Sequence, residues 1–220
     1  AAAIAVSVVA LAGTCYDRGA DAIGQMEERT MYRGLLTVTA LLLSSTFAHA
    51  EDYDLDALRA AVEKYKNVDA ALADGFVPDP SGECISAAAE GLPAEMGGMG
   101  IHYIHPAKLK LAAPGDRVDG GSTHTDFMDP AVLLYEPQAD GSLELVGVEN
   151  LVFEAAWRAA GQQGAPVTNG RDWDHMADDP ATPGDEAHGF MPHYDQHIYL
   201  FRPGGGDDMA AFNPNVRCPG

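Results

Sequence analysis

The chain has 220 residues, with 33 Asp and Glu against 13 Lys and Arg, a formal net charge of −20. Such a surface repels phosphate backbones and anionic lipid, which argues against nucleic acid and anionic membranes as partners. It suits a solvated acidic exterior or weak cation binding.

Residues 31–50 read as a secretory signal peptide. Met31-Tyr-Arg33 is a short basic start, Gly34 to Phe47 is apolar, and Ala48-His49-Ala50 is a small-x-small cleavage pattern. A buried hydrophobic helix, or an N-terminal anchor, is the alternative. Residues 1–30 then read as an upstream extension outside the mature protein, and residues 51–220 as a single domain. That domain carries 29 acidic and 10 basic side chains, a net charge of −19. It is long enough for a proper core. The expected location is periplasmic or secreted, with no stable membrane insertion after cleavage. Cys84 and Cys218 are the cysteines left in it. An even pair in an exported protein predicts a disulfide.

Asp54 caps an expected helix from Leu55 toward Ala73, because Leu55, Leu58, Val62, Tyr65, Val68 and Leu72 recur at threes and fours. Residues 77–100 are rich in Pro and Gly, with a short helix expected around Ile85 to Glu90. The run from Gly97 to Gly100 predicts close backbone packing or a bulge. Strands are expected at Ile101–Ile104 and Ala131–Glu136, then from Leu143 to Val152 after an Asp-Gly hairpin turn. A helix is expected over Phe153–Ala160, a long acidic loop acting as a lid over 161–192, and a last strand at Ile198–Phe201. The fold class is α+β: an N-terminal helix packed on an antiparallel sheet, with curling toward a barrel as one option.

Histidine is the commonest metal ligand, and two short β-prone runs carry it: His102 with His105, and His193 with His197. Alternation along the strands puts Leu143, Leu145, Gly147, Glu149 and Leu151 on one face, so Glu149 falls on an apolar parity; the opposite face, with Val146, Val148 and Val152, is apolar too, so parity leaves open which way Glu149 points. A carboxylate there needs a cation, a donor or a metal. Arg158 and Arg202 are candidate partners for it in a metal-free pocket. His102, Glu149 and His197 together would form a facial triad for a divalent transition metal, with Zn, Cu, Fe, Mn and Ni all compatible. His193 is the candidate proton-transfer group, and His105 a substitute or supporting residue. The expected ligand is a metal ion or a small molecule.

Four segments carry a resemblance: Gly98 to Tyr103, Leu145 to Glu149, Tyr194 to His197, and Asn213 to Cys218. In them the chain resembles an exported bacterial family of unassigned function, marked by GMGIHY, LVGVE, YDxH and NPNVxC segments. The likeness covers most of residues 55–218. The family pattern has Asn at the position of His105, so the resemblance implies His102, Glu149 and His197 as the matching set. It implies no reaction. Metal-assisted hydrolysis or oxidation of a small molecule is one expectation, and a non-catalytic envelope protein that binds or handles metal is the other.

Overall fold

A computed structural model of the chain describes residues 52–181, 185–203 and 206–219. The expected signal peptide and the extension before it lie outside the described residues.

The chain enters through α1 (Leu55–Val62), capped by Asp54, whose carboxylate accepts from the Asp56 and Ala57 N–H groups. The single helix expected to Ala73 is instead three pieces. A 3₁₀ turn over Glu63–Lys66 follows α1, and α2 (Val68–Ala73) restarts after it. Asn67 causes the break: its side chain accepts from the Asp69 N–H and caps the second helix. Leu72 consequently leaves the apolar stripe and is 46% exposed.

Next come β1 (Val77–Pro78), β2 (Cys84–Ser86), β3 (Gly98–Ile104) and a helical turn α3 (Pro106–Leu109). The hairpin β4 (Val132–Pro137) and β5 (Leu143–Phe153) leads into α4 (Glu154–Ala159). Three short strands, β6 (Val167–Thr168), β7 (Arg171–Asp172) and β8 (Asp174–Met176), precede β9 (His193–Ile198). The fold is α+β and dominated by one seven-stranded sheet. Its order is β1-β3-β4-β5-β9-β8, with β2 also on β3, and every pairing is antiparallel. The sheet is open; it does not close into a barrel.

Three expected elements change. No helix forms at Ile85 to Glu90, because Cys84–Ser86 is drawn into pairing with β3 and a turn follows. The segment 161–192 is not structureless: β6 and β7 form a hairpin and β8 extends the main sheet. The last strand is His193–Ile198 rather than Ile198–Phe201. Beyond Ile198 the chain leaves the ladder, and the Tyr199 N–H donates to Asp208 O instead. The glycine run behaves as expected. A Cβ on Gly100 would meet Tyr135 O at 2.7 Å.

Each face of the sheet has its own core. On one face Tyr103, Leu133, Tyr135, Val148 and Ile198 pack against Leu58, Val62, Tyr65 and Phe76 of the helical segment. On the other, Val132, Leu134, Leu151, Phe153 and Tyr199 pack against Leu109, Phe190 and Val216. Burying such side chains contributes about 1.5–3 kcal/mol each. The bulge in the β4–β5 ladder decides which side chains go where. Leu134 pairs with Gly147 but Tyr135 pairs with Leu145, so Val146 is an extra residue in β5. Leu145 therefore joins the helix-side core while Leu151 joins the other. The uninterrupted alternation expected from Leu143 to Leu151 is thus broken, and Glu149 shares its face with Leu151 but not with Leu145.

Cys84 and Cys218 are bonded, linking β2 to the C-terminal segment across a sequence separation of 134. A Cys84→Ser/Cys218→Ser variant is expected to lose about 5 kcal/mol of stability in the chain-entropy account. Urea unfolding of both proteins, with and without reductant, measures this; equal midpoints would contradict it.

Candidate metal centre

Three strands deliver the site to the face away from the helices. Parity on β3 turns His102 and Ile104 away from Tyr103, which packs on the helix side. On β5, Glu149 sits opposite Val132 of β4 and His197 of β9. His102 lies one row along, opposite Leu134, whose other partner is Gly147. A Cβ at Gly147 would stand 2.6 Å from Ile198 O, so glycine is what allows β9 to run close beside the carboxylate.

The three side chains converge. His102 Nε2 is 3.1 Å and His197 Nε2 is 3.5 Å from the same oxygen, Glu149 Oε2. One ligand atom from each residue lies within 4.8 Å of the others, a spacing that could hold a metal ion. The residues are 9%, 3% and 1% exposed in the order His102, Glu149, His197. Yet Glu149 Oε2 and both ring nitrogens of His197 have no hydrogen-bond partner among the described residues. The close approaches have the distances of ion pairs without the alignment of hydrogen bonds. Neither Arg158 nor Arg202 neutralises Glu149. Arg158 binds Glu154 and the Tyr194 hydroxyl, and Arg202 bridges Glu136 and Glu144.

Beside the triad is a cavity of about 20 Å³, bordered by His102, Glu149, His188, Phe190, His193 and Asp195. That volume holds one water-sized body. Of the seven buried side-chain atoms without a partner among the described residues, five belong to Glu149, His188, Asp195 and His197. Buried polar atoms are almost always satisfied, so such a cluster marks a place where a bound water or ion would supply the missing partner.

The electrostatics agree. Burial alone would raise the Glu149 carboxyl, but the neighbouring His197 and His102 outweigh it and hold the group below the usual carboxylate range. Burial works against a proton on His102, and Glu149 more than offsets it, so its pKa is raised. Burial also opposes a charged His193, while Asp195 and the Met191 carbonyl favour it, again with a net rise. His193 donates Nδ1–H to Met191 O at 2.9 Å, and its Nε2 stands 3.7 Å from Asp195 Oδ2. Its place is the cavity wall beside the triad. Tyr199 is pushed well above its ordinary value by burial and by Glu149 and Asp195, which keeps its hydroxyl protonated.

His105 takes no part in the site. It lies on the opposite parity, caps α3 by accepting from the Lys108 N–H, and packs edge-on against Phe76. Trp157 and Trp173 are core residues whose indole N–H groups reach Gly164 O and Thr168 Oγ1. Two residues at the site escape a reading of the sequence. Asp195 is one; alternation over His193, Asp195 and His197 would have found it had the last strand been started five residues earlier. The other is His188, whose loop has no regular spacing to mark it.

No family model, curated protein or solved structure matches the chain.

His188 supplies a titration that can be followed. Burial, helped by the neighbouring His102 and His197, lowers its pKa from 6.5 to about 4, and the Glu90 carboxylate 3.6 Å away does not reverse this. The folded pKa is below the unfolded one, so the unfolded state binds more protons between them. Stability therefore rises with pH from about 4 to 6.5 and is lost on acidification through that window. Relative to a His188→Asn variant, the metal-free protein is expected to lose about 3 kcal/mol as pH falls across it, at roughly 1.4 kcal/mol per pKa unit. Urea melts of both proteins at stepped pH check this; parallel curves would count against a neutral buried His188.

Proposed function

We propose that the protein is an exported metal-binding protein that holds one divalent transition metal with His102, Glu149 and His197. The observation that carries this is Glu149 Oε2, buried 3.1 and 3.5 Å from two imidazole nitrogens, with no hydrogen-bond partner and no arginine or lysine paired with it among the described residues. Two nitrogens and one oxygen on one side of an ion form a facial set compatible with Zn, Fe, Mn, Cu or Ni. The acidic surface favours cations over nucleic acid as partners. The bond between Cys84 and Cys218 points to an oxidising, extracytoplasmic compartment. No described helix is long and apolar enough to cross a membrane. Kinship with the exported bacterial family is part of the same proposal and rests on the four segments that carry the resemblance.

The cavity of about 20 Å³ accommodates an ion but no organic substrate, which favours metal handling without catalysis. A second reading, a metal-dependent hydrolase or oxidase of a small molecule, draws on an adjoining cleft. That cleft is about 400 Å³ and shares Asp79, Ser81, His188 and Phe190 with the inner cavity. A metal would supply Lewis acidity there. His193, held by Met191 O on one nitrogen, would present the other as the proton-transfer group.

Protein purified without a polyhistidine tag and reconstituted with each of the five metals is expected to retain one ion per chain by elemental analysis. The melting temperature should rise with metal concentration. His102→Ala, Glu149→Gln and His197→Ala should each lower affinity by at least about tenfold. Retention of no metal by the wild type would remove the proposal. Turnover at a metal with exchangeable water, abolished in His193→Gln with the metal still bound, would select the enzyme reading.

A further inference from the structure

One wall of the cavity is a loop rather than the sheet, and it carries an imidazole that a three-ligand centre does not use. His188 sits there at φ +48°, a left-handed conformation uncommon for residues other than glycine, and one that Asn, Asp and His adopt more readily than most. The turn is pinned on both sides. The His188 N–H donates to Asp185 O at 3.0 Å, the Gly189 N–H to Asp185 Oδ2 at 3.0 Å, and Gly189 O accepts from the Val118 N–H at 2.8 Å. The ring itself is divided in function. Nδ1 faces Glu90 Oε1 at 3.6 Å, whereas Nε2 is out of solvent with no partner. The same ring borders the inner cavity and two outer clefts of about 400 and 580 Å³.

We propose that His188 is a fourth, detachable ligand of the centre, brought to the metal by the turn that carries it. This rests on the metal-binding reading above. A ligating imidazole is fixed by a carboxylate on its other nitrogen, which is the place Glu90 occupies. His188 is outside the group whose ligand atoms lie within 4.8 Å of one another, so the turn has to move inward to complete the set. The sheet ligands are held by ladder pairing, whereas the loop ligand is held only by the hydrogen bonds of its own turn and the one to Val118. Attached, it gives the closed four-ligand arrangement of a structural site. Detached, it leaves a position open toward the outer clefts, as in a catalytic site. The larger cleft is lined by Glu90, Glu186 and His188 and by no lysine or arginine, which suits the entry of a cation past His188.

The test uses Co(II) on the full chain, comparing wild type with His188→Asn and His188→Ala. Asn tolerates the left-handed backbone, so its variant keeps the fold even where Ala loosens the turn. Thermal melting of the metal-free proteins verifies this. The expected result is one Co(II) per chain in all three. The two variants should show an altered d–d spectrum and an affinity about 10–100-fold weaker by chelator competition. Added millimolar imidazole should restore the wild-type spectrum. An unchanged spectrum and affinity in His188→Asn would show that His188 is only cavity wall, leaving the three-ligand centre intact. A wild type that takes up no Co(II), Zn, Cu, Fe, Mn or Ni would overturn both readings together.

Discussion

The architecture turns on one constraint: a charged carboxylate sits on the apolar face of a sheet with an imidazole on either side, and one of its oxygens has no hydrogen-bond partner among the described residues. A buried anion without a partner is among the most costly things a fold can contain. Everything near Glu149 limits how that charge can be met. The arginines are engaged elsewhere, at Glu136 with Glu144 and at Glu154. The helix-side core lies behind the sheet, and the loop in front contributes His188 and Phe190. What the strands themselves offer the charge is the pair of imidazoles, by a proton on His102 or, in the proposed reading, by a small cation held between the three side chains.

Several distant features serve that arrangement. The extra residue at Val146 rotates the second half of β5 by one side chain, which puts Glu149 on the face that His102 and His197 share. Without it, Glu149 would share a parity with Leu145 and turn toward the helices. Gly147 then gives β9 room to approach, and the hairpin positions β4 as the spacer across which His102 reaches. Asp195 and His193 lie on the same side of β9 as His197, so one strand brings an acid and an imidazole to the small cavity beside the triad.

The triad was legible in the sequence because it depends on residue type and two-residue periodicity, both of which are local. The pairing of Cys84 with Cys218 was legible from count and context. The parity argument reached the three residues that converge through an alternation that the structure does not keep, because a bulge is set by how two strands meet and leaves no mark in either one. The helix break at Asn67 is a contest between a capping side chain and continued apolar spacing, and the cap wins. The β6–β7 hairpin had its signal in Asn169-Gly170, the turn pair favoured in tight hairpins, submerged in a stretch rich in other loop residues. His188 and Glu90 were not legible at all. They are nearly a hundred positions apart and meet only because two loops cross in front of the sheet.

The open sheet also has edges. On one side, β1 and β2 divide the length of β3 between them, so no long run of unpaired backbone is presented. On the other, the sheet ends in three residues of β8, of which Asp174 is paired opposite Asp195. A strand from another molecule would find few free carbonyl and N–H groups in register, and a negative charge among them. A sheet that gathers histidines and a carboxylate on its buried central strands thus also has edges poorly suited to strand-to-strand association, the route by which open sheets pass into aggregates.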